Sequence, residues 1–329
     1  MDDMMKKMVL PKHARKIIDL ARVEKGDTVL VLCDFKTAGV GQLLASQVYS
    51  IGALPILTII PPLPVETPPP DPVSEMGLRV DALIAVMSTN IAHSSLRVEA
   101  LKKGIKVAMI PQLNEEFLAH EAFDADFHAL KPKLEKMAEM VTRAKVARVT
   151  TLKGTDLTLG IEGRKAQAFH GFAENGMLSS PPNIEVNCGP VEGTAEGKFV
   201  ADVALDILPP EYGFVLVSEP IAVTVHQGFA TEIRGGREAE ALKEVLEATK
   251  DPNVYNIAEL GIGMNPKCNP DGRPLMNEGT LGNIHIGIGT NEYFPGGKIR
   301  AAAHLDLVMS KATLELDGAA VMKDGRLTF

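Results

Sequence analysis

Hydrophobic and polar positions follow two different rhythms along this chain. Over the first 130 or so residues, runs with helical spacing alternate with short, almost wholly apolar runs. "PKHARKIIDLARV" places its apolar residues on one side of a 3.6-residue period, as an amphipathic helix does. "DTVLVLCD" is a continuous apolar stretch, the pattern of a strand buried on both faces. "GVGQLLASQVYSIG", closed by Gly52, is helical again, and "LPILTII" and "VDALIAVMST" are further apolar runs. "SSLRVEALKKG" and "IKVAMIPQ" add another helix and strand. This alternation predicts a parallel sheet covered by helices. Segment 61–75, "PPLPVETPPPDPVSE", is so proline-rich that it reads as an extended surface loop, neither helix nor central strand.

From about residue 125 the rhythm changes. "FHALKPKLEKMAEMVTRAKVARV" has the spacing of a linking amphipathic helix. Short alternating segments follow, with turn residues between them: "RVTTLKGTDLTLGIEGR", "GKFVADVALDIL" and "FVLVSEPIAVTVHQGFATEIRGG". They predict an antiparallel sheet domain with one clear helix, "REAEALKEVLEAT". The expected fold is therefore α/β plus α+β. Residues 1–130 are expected to form a Rossmann-like parallel α/β domain, and residues 131–329 a mainly antiparallel α+β domain.

Bulk numbers narrow the function classes. A chain of 329 residues exceeds what one core usually serves. A net charge of -8 argues against a nucleic-acid partner, which would want a basic face. No apolar run reaches the roughly 18–20 residues that span a bilayer, and "MDDMMKKMVLPKHARK" lacks a signal-peptide apolar core. The three cysteines, Cys33, Cys188 and Cys268, form neither a disulfide framework nor a CxxC pair and read as small buried hydrophobes. These features fit a cytoplasmic protein. "KTAGVGQ", after the first strand, carries neither a GxGxxG nor a P-loop fingerprint, so a nucleotide is not expected.

Chemistry concentrates in the second half. Glu185 lies in "PPNIEVNCGPVEGTAEG", Glu259 in "YNIAELGIGMNP", His285 in "LGNIHIGIGTN", and His304 and Asp306 in "AAAHLDLVMS". Each sits in an apolar or glycine-bearing run instead of on a charged face. A carboxylate among such neighbours is costly unless paired or metal-bound. His304 and Asp306, two apart on a strand, share one face. Their bland reading is a buried hydrogen bond, but five such residues together favour a metal site of two divalent ions sharing oxygens.

The same segments carry a family resemblance. "NIEVNCGPVEGTAEGKFVAD", "AELGIGMNP", "LGNIHIGIGTN" and "AAAHLDLVMSKATLELDGAAVMKDG" resemble, in order, the metal-binding segments of the aminopeptidase T/aminopeptidase S (thermophilic leucyl aminopeptidase) metallopeptidases. The likeness implies Glu185, Glu259, His285, His304 and Asp306 as ligands of two ions, zinc, cobalt or manganese. It also implies a homodimer that removes the N-terminal residue from small peptides. "GFATEIRGGREAEALKEVLEATKDPNVYNIAELGIG" and "GTNEYFPGGKIRAAAHLDL", with the short length, are also similar to the 2,5-dihydroxypyridine dioxygenases on the same scaffold. Those are mononuclear non-haem iron(II) enzymes that keep the His-x-Asp pair and take a third ligand, a histidine, at the position of Glu259. Glu259 and His285 depart from that pattern, and on them the two-metal aminopeptidase is the leading expectation. One iron(II) held by His285, His304 and Asp306 is the alternative.

Supporting residues are expected nearby. Glu278, in "LMNEGTLGNIH", reads as a general base or else a solvated loop carboxylate. Tyr293 is placed by the resemblance where it could hydrogen-bond a tetrahedral intermediate. Lys298 and Arg300 read as surface charges flanking a turn or else as binders of a carboxylate or oxyanion, and Asp317 of "ELDG" as a hairpin turn. His13, His93, His120, His128, His170 and His226 read as non-ligands.

Overall fold

The computed structural model describes residues 3–92, 94–206 and 214–329. His93 and positions 207–208 of the "GKFVADVALDIL" run lie outside the described residues. The chain forms two compact units, one of Met1–Ala125 with Gly171–Pro182, the other of Asp126–His170 with Asn183–Phe329.

In the first unit β1 (Thr28–Asp34), β2 (Leu54–Ile60), β3 (Ala82–Val86) and β4 (Lys106–Met109) make a parallel sheet of order β2-β1-β3-β4. Its helices are α1 (Asp3–Leu20), α2 (Ala38–Ser50), α3 (Asp71–Gly77), α4 (Ser95–Lys102) and the short α5 (Glu115–Leu118). Leu30, Leu32, Leu83, Val107 and Met109 belong to one buried cluster, which is why the strand sequences read as continuous apolar runs.

Three local expectations need correction. Helix α1 begins already at Asp3 and carries Pro11 inside it. Helix α3 begins inside the proline-rich segment, because Pro72 falls in its first turn, where no backbone donor is needed. Segment 171–182 belongs with the first unit, so a single boundary near residue 130 does not describe the chain. Ser179 accounts for it by exchanging backbone hydrogen bonds along β4, from Met109 N to Ser179 O and from Ser179 N to Val107 O, each at 2.9 Å. At the end of β1, the buried Asp34 carboxylate accepts from the amides of Lys36 and Ser88 at 2.9 and 2.6 Å. An internal anion thus takes amides that a phosphate would use at such a turn.

The second unit opens with α6 (Phe127–Arg143) and continues through β5 (Val146–Thr150), β6 (Asp156–Gly160), β7 (Gln167–Phe169) and β8 (Glu185–Cys188). Then come β9 (Glu196–Ala201), β10 (Ala204–Asp206), β11 (Phe214–Leu216), β12 (Ile221–His226), β13 (Phe229–Arg234) and α7 (Arg237–Ala248). It ends with β14 (Ile257–Gly263), α8 (Pro274–Asn277), β15 (Ile284–Gly289), β16 (His304–Met309), β17 (Thr313–Leu316), β18 (Ala319–Lys323) and β19 (Arg326–Leu327). The strands form two antiparallel sheets, ordered β13-β12-β9-β6-β5-β17-β18-β19 and β11-β10-β16-β15-β14-β8-β7. Asp317 and Gly318, at φ 49° and 83°, turn β17 into β18 as the Asp-Gly pair predicts. The architecture is the expected one, a parallel α/β unit and a mainly antiparallel unit. Among the described residues no helix is long and apolar enough to cross a membrane.

Candidate metal centre

Four neighbouring strands of the second sheet, β8, β14, β15 and β16, carry all five predicted residues. Register explains how they meet. Glu259 stands opposite Gly287, and Gly287 opposite Asp306. Gly261 pairs with His285, Gly263 with Glu185, and Gly289 with His304. With a side-chain period of two, these residues all lie on one face. Leu260, Ile262, Ile284, Ile286, Leu305 and Leu307 alternate with them and are buried on the other. The glycines are the clearance for the cluster. A Cβ at Gly261 would lie 1.9 Å from His285 Nε2, and one at Gly287 would lie 2.7 Å from Glu259 Cβ and 2.9 Å from His304 Nε2.

Two ligand groups close to within 4.8 Å among the described residues: Glu185, Glu259 and His285, and Glu259, His304 and Asp306. Glu259 belongs to both. Its Oε1 is 3.4 Å from His285 Nε2 and its Oε2 is 2.9 Å from His304 Nε2. His304 Nε2 also stands 3.6 Å from Asp306 Oδ1, and His285 Nε2 3.9 Å from Glu185 Oε2. Asn183 and Asn187 each donate an amide hydrogen to Glu185, at 3.1 and 3.0 Å. The two histidines do not share a group, so His285, His304 and Asp306 are not assembled as a triad.

The two imidazoles differ behind the cluster. His304 Nδ1 lies 2.8 Å from the carbonyl oxygen of Thr290. A carbonyl only accepts, so Nδ1 carries the hydrogen and Nε2 is directed into the cluster, the arrangement of a metal-ligating histidine. His285 Nδ1 is buried with no hydrogen-bond partner. Asp306 Oδ1 is likewise buried without one. Carboxylate and imidazole donors converging here, one buried oxygen among them unsatisfied, fit a divalent cation.

Without a cation the cluster holds protons. Burial opposes charge on His285, but the hydrogen bond to Glu259 and the Glu185 charge prevail and push its pKa up to about 10. His304 is also pushed well up: burial again opposes, and Asp306 and Glu259 outweigh it. Burial alone would raise Glu259; hydrogen bonds from both imidazoles hold it down at about 2. Burial raises Glu185. A cation must displace an imidazole proton from whichever group it enters. Metal uptake at neutral pH is therefore expected to release protons, and apparent affinity to climb about tenfold per pH unit per proton displaced. Titration calorimetry in two buffers of different ionisation enthalpy checks this; uptake without proton release contradicts it.

The remaining predicted residues are placed as follows. Glu278 follows α8, its backbone carbonyl oxygen against Gly263, and its carboxylate belongs to neither ligand group. Tyr293 is half exposed, its ring edge-on to His304 at 6.1 Å. Arg300 is an exposed surface charge. Among the described residues, His13, His120, His128, His170 and His226 join neither ligand group. Sequence reasoning missed the glycine clearance, although the alternation in "ELGIG" and "HIGIG" signals it. It also missed Asn183, Asn187 and the Thr290 carbonyl.

Comparison with known proteins identifies the family. The family model described as NicX, 2,5-dihydroxypyridine 5,6-dioxygenase, matches residues 10–329. The chain belongs to the NicX family. It is 27% identical over 252 residues to a 2,5-dihydroxypyridine 5,6-dioxygenase of Pseudomonas putida KT2440, covering 74% of this chain and 70% of that one. A solved structure of 2,5-dihydroxypyridine dioxygenase from Pseudomonas putida KT2440 superposes with a TM-score of 0.82 at 23% identity, over 97% of this chain and 96% of that one. Wild-type AmpT of Thermus thermophilus superposes at 0.76 with 21% identity, over 98% and 100% of the two chains, a likeness of fold. The leading expectation, a metallo-aminopeptidase, is thereby corrected: the family and the curated relative are dioxygenases. The error came from weighting Glu259 and His285, whose donor types suit hydrolytic and oxidative metals alike.

Proposed function

We propose that this chain is an iron(II)-dependent ring-cleaving dioxygenase acting on a dihydroxylated pyridine. The observation that carries the reading is the family match along residues 10–329. In the reaction the family description names, both atoms of O2 enter the ring product as the bond between ring carbons 5 and 6 breaks.

Glu259, His304 and Asp306 would hold the metal. The Thr290 carbonyl behind His304, and its lack of a counterpart behind His285, favour one ion here over two sharing Glu259. Iron(II) held there would supply the redox chemistry between O2 and the ring; the set is one imidazole and two carboxylates, with Glu259 standing where the dioxygenase pattern has a second imidazole. His285 then orients Glu259 from behind. It sits between Glu185 and Glu259 and holds its proton at Nε2 against Oε1 of Glu259. The buried apolar face beneath keeps β14, β15 and β16 in register, so the donors do not need to reorganise when the ring arrives.

Purified protein loaded anaerobically with iron(II) is expected to consume O2 on addition of 2,5-dihydroxypyridine, with about one iron per chain. No O2 uptake by the iron-loaded protein overturns the reading.

A further inference from the structure

The burial gradient across the cluster shows where a substrate must arrive. His285 and Glu259 side chains are 2% and 6% exposed, whereas His304 and Asp306 are 15% and 14% exposed. The cluster therefore opens at its His304–Asp306 edge. At that edge stands the loop between β15 and β16, "TNEYFPGGKIRAAA". It presents two aromatic rings to His304, Tyr293 edge-on at 6.1 Å and Phe294 tilted at 5.8 Å. Phe294 is buried, and its Cβ would be 2.8 Å from a Cβ at Gly189, so it is packed tightly into the floor. Tyr293 is 48% exposed.

The loop is fixed by a partly buried polar hub. Glu192 Oε1 accepts from Asn291 Nδ2 at 2.7 Å and from Lys298 N at 2.9 Å, binding both ends of the turn. Its other oxygen pairs with the guanidinium of the buried Arg164. Asn291 Oδ1 accepts from Ile299 N at 2.8 Å, closing the loop on itself. An exposed tyrosine on a pinned loop, beside the open edge of a metal-ligand group, is a preorganised aromatic surface.

Resting on the dioxygenase reading, we propose that Tyr293 is the ring-recognising wall of the site. Its face stacks on the heteroaromatic substrate and sets affinity; its hydroxyl is not a catalytic hydrogen-bond donor. Offset stacking of two flat rings accounts for about a tenfold contribution to binding.

The test compares wild type, Tyr293→Ala and Tyr293→Phe, each iron-loaded, with 2,5-dihydroxypyridine as probe. Anaerobic binding and aerobic kinetics are measured on each, with iron content as the control for an intact centre. Tyr293→Ala is expected to bind the ring about tenfold more weakly and raise KM correspondingly, with kcat within about twofold and iron content unchanged. Tyr293→Phe is expected to restore the affinity lost in Tyr293→Ala. Unchanged affinity in Tyr293→Ala, or a Tyr293→Phe variant that loses kcat at normal affinity, overturns the wall while leaving the dioxygenase reading intact. A wild type that binds the ring without consuming O2 overturns the reaction; in that case a loss of binding confined to Tyr293→Ala still supports the wall. A wild type that does not bind the ring overturns both.

Discussion

Replacing Glu259 with glutamine is expected to empty the metal centre and to weaken the strand that carries it. Glu259 is the residue common to both ligand groups and the counter-charge to both imidazoles, at 3.4 and 2.9 Å. Removing a ligand should lower metal affinity by at least the roughly 10–100-fold typical of losing an outer-shell partner. Breaking a buried charge pair costs about 3–5 kcal/mol when one partner is removed. The pH dependence of that cost in metal-free protein follows from the shifts. The Glu259 carboxyl is depressed from 4.5 to about 2, so its contribution is present above 4.5 and fades as pH falls toward 2. His285 is raised from 6.5 to about 10, so its contribution is full below 6.5 and fades as pH rises through 10. The destabilisation of Glu259→Gln is therefore largest at about pH 5–6 and shrinks toward pH 10. Urea unfolding of metal-free wild type and variant at the two ends of that range, with metal analysis alongside, checks both halves.

Adding one methyl group at Gly287 is the second large effect. A Cβ there would stand 2.7 Å from the Glu259 Cβ and 2.8 Å from the His304 Cε1, so two ligands must move at once. Neither has room, since Glu259 is buried and His304 is held by the Thr290 carbonyl. Gly287→Ala is expected to cost about 1–3 kcal/mol of stability. Metal content should fall close to zero while far-UV circular dichroism keeps its strand signature. A Gly287→Ala protein that binds iron normally would show that the donors can be placed without the glycine clearance.

That these five side chains would come together was legible in the sequence, because buried carboxylates and imidazoles among isoleucines are expensive, and expense on that scale needs a partner. The type of each sheet was legible for a similar reason: wholly apolar runs belong to a covered parallel sheet, alternating ones to a half-covered antiparallel sheet. Reaction type was not legible. Glu, His and Asp donors serve a hydrolytic cation as well as an oxidative one. The feature that separates His304 from His285 is a backbone carbonyl at Thr290, which has no side-chain signature in the sequence. The hub that fixes the aromatic loop was hidden too, because Glu192 looks like any turn carboxylate in "GPVEGT" until Arg164, Asn291 and Lys298 are folded around it. Helix α3 was missed where proline was read only as a breaker, and the return of segment 171–182 was missed because a single backbone pairing with β4 leaves no periodic trace.

The origin of the oxygen in the product tests the central claim most directly. Iron-loaded protein is given 2,5-dihydroxypyridine under isotopically labelled O2 in ordinary water, and the product is analysed promptly by mass spectrometry. A ring-cleaving dioxygenase places both labelled atoms in the opened ring. A product that carries no label from the gas, and takes its oxygen from labelled water in the converse experiment, would mean hydrolysis and would contradict the account.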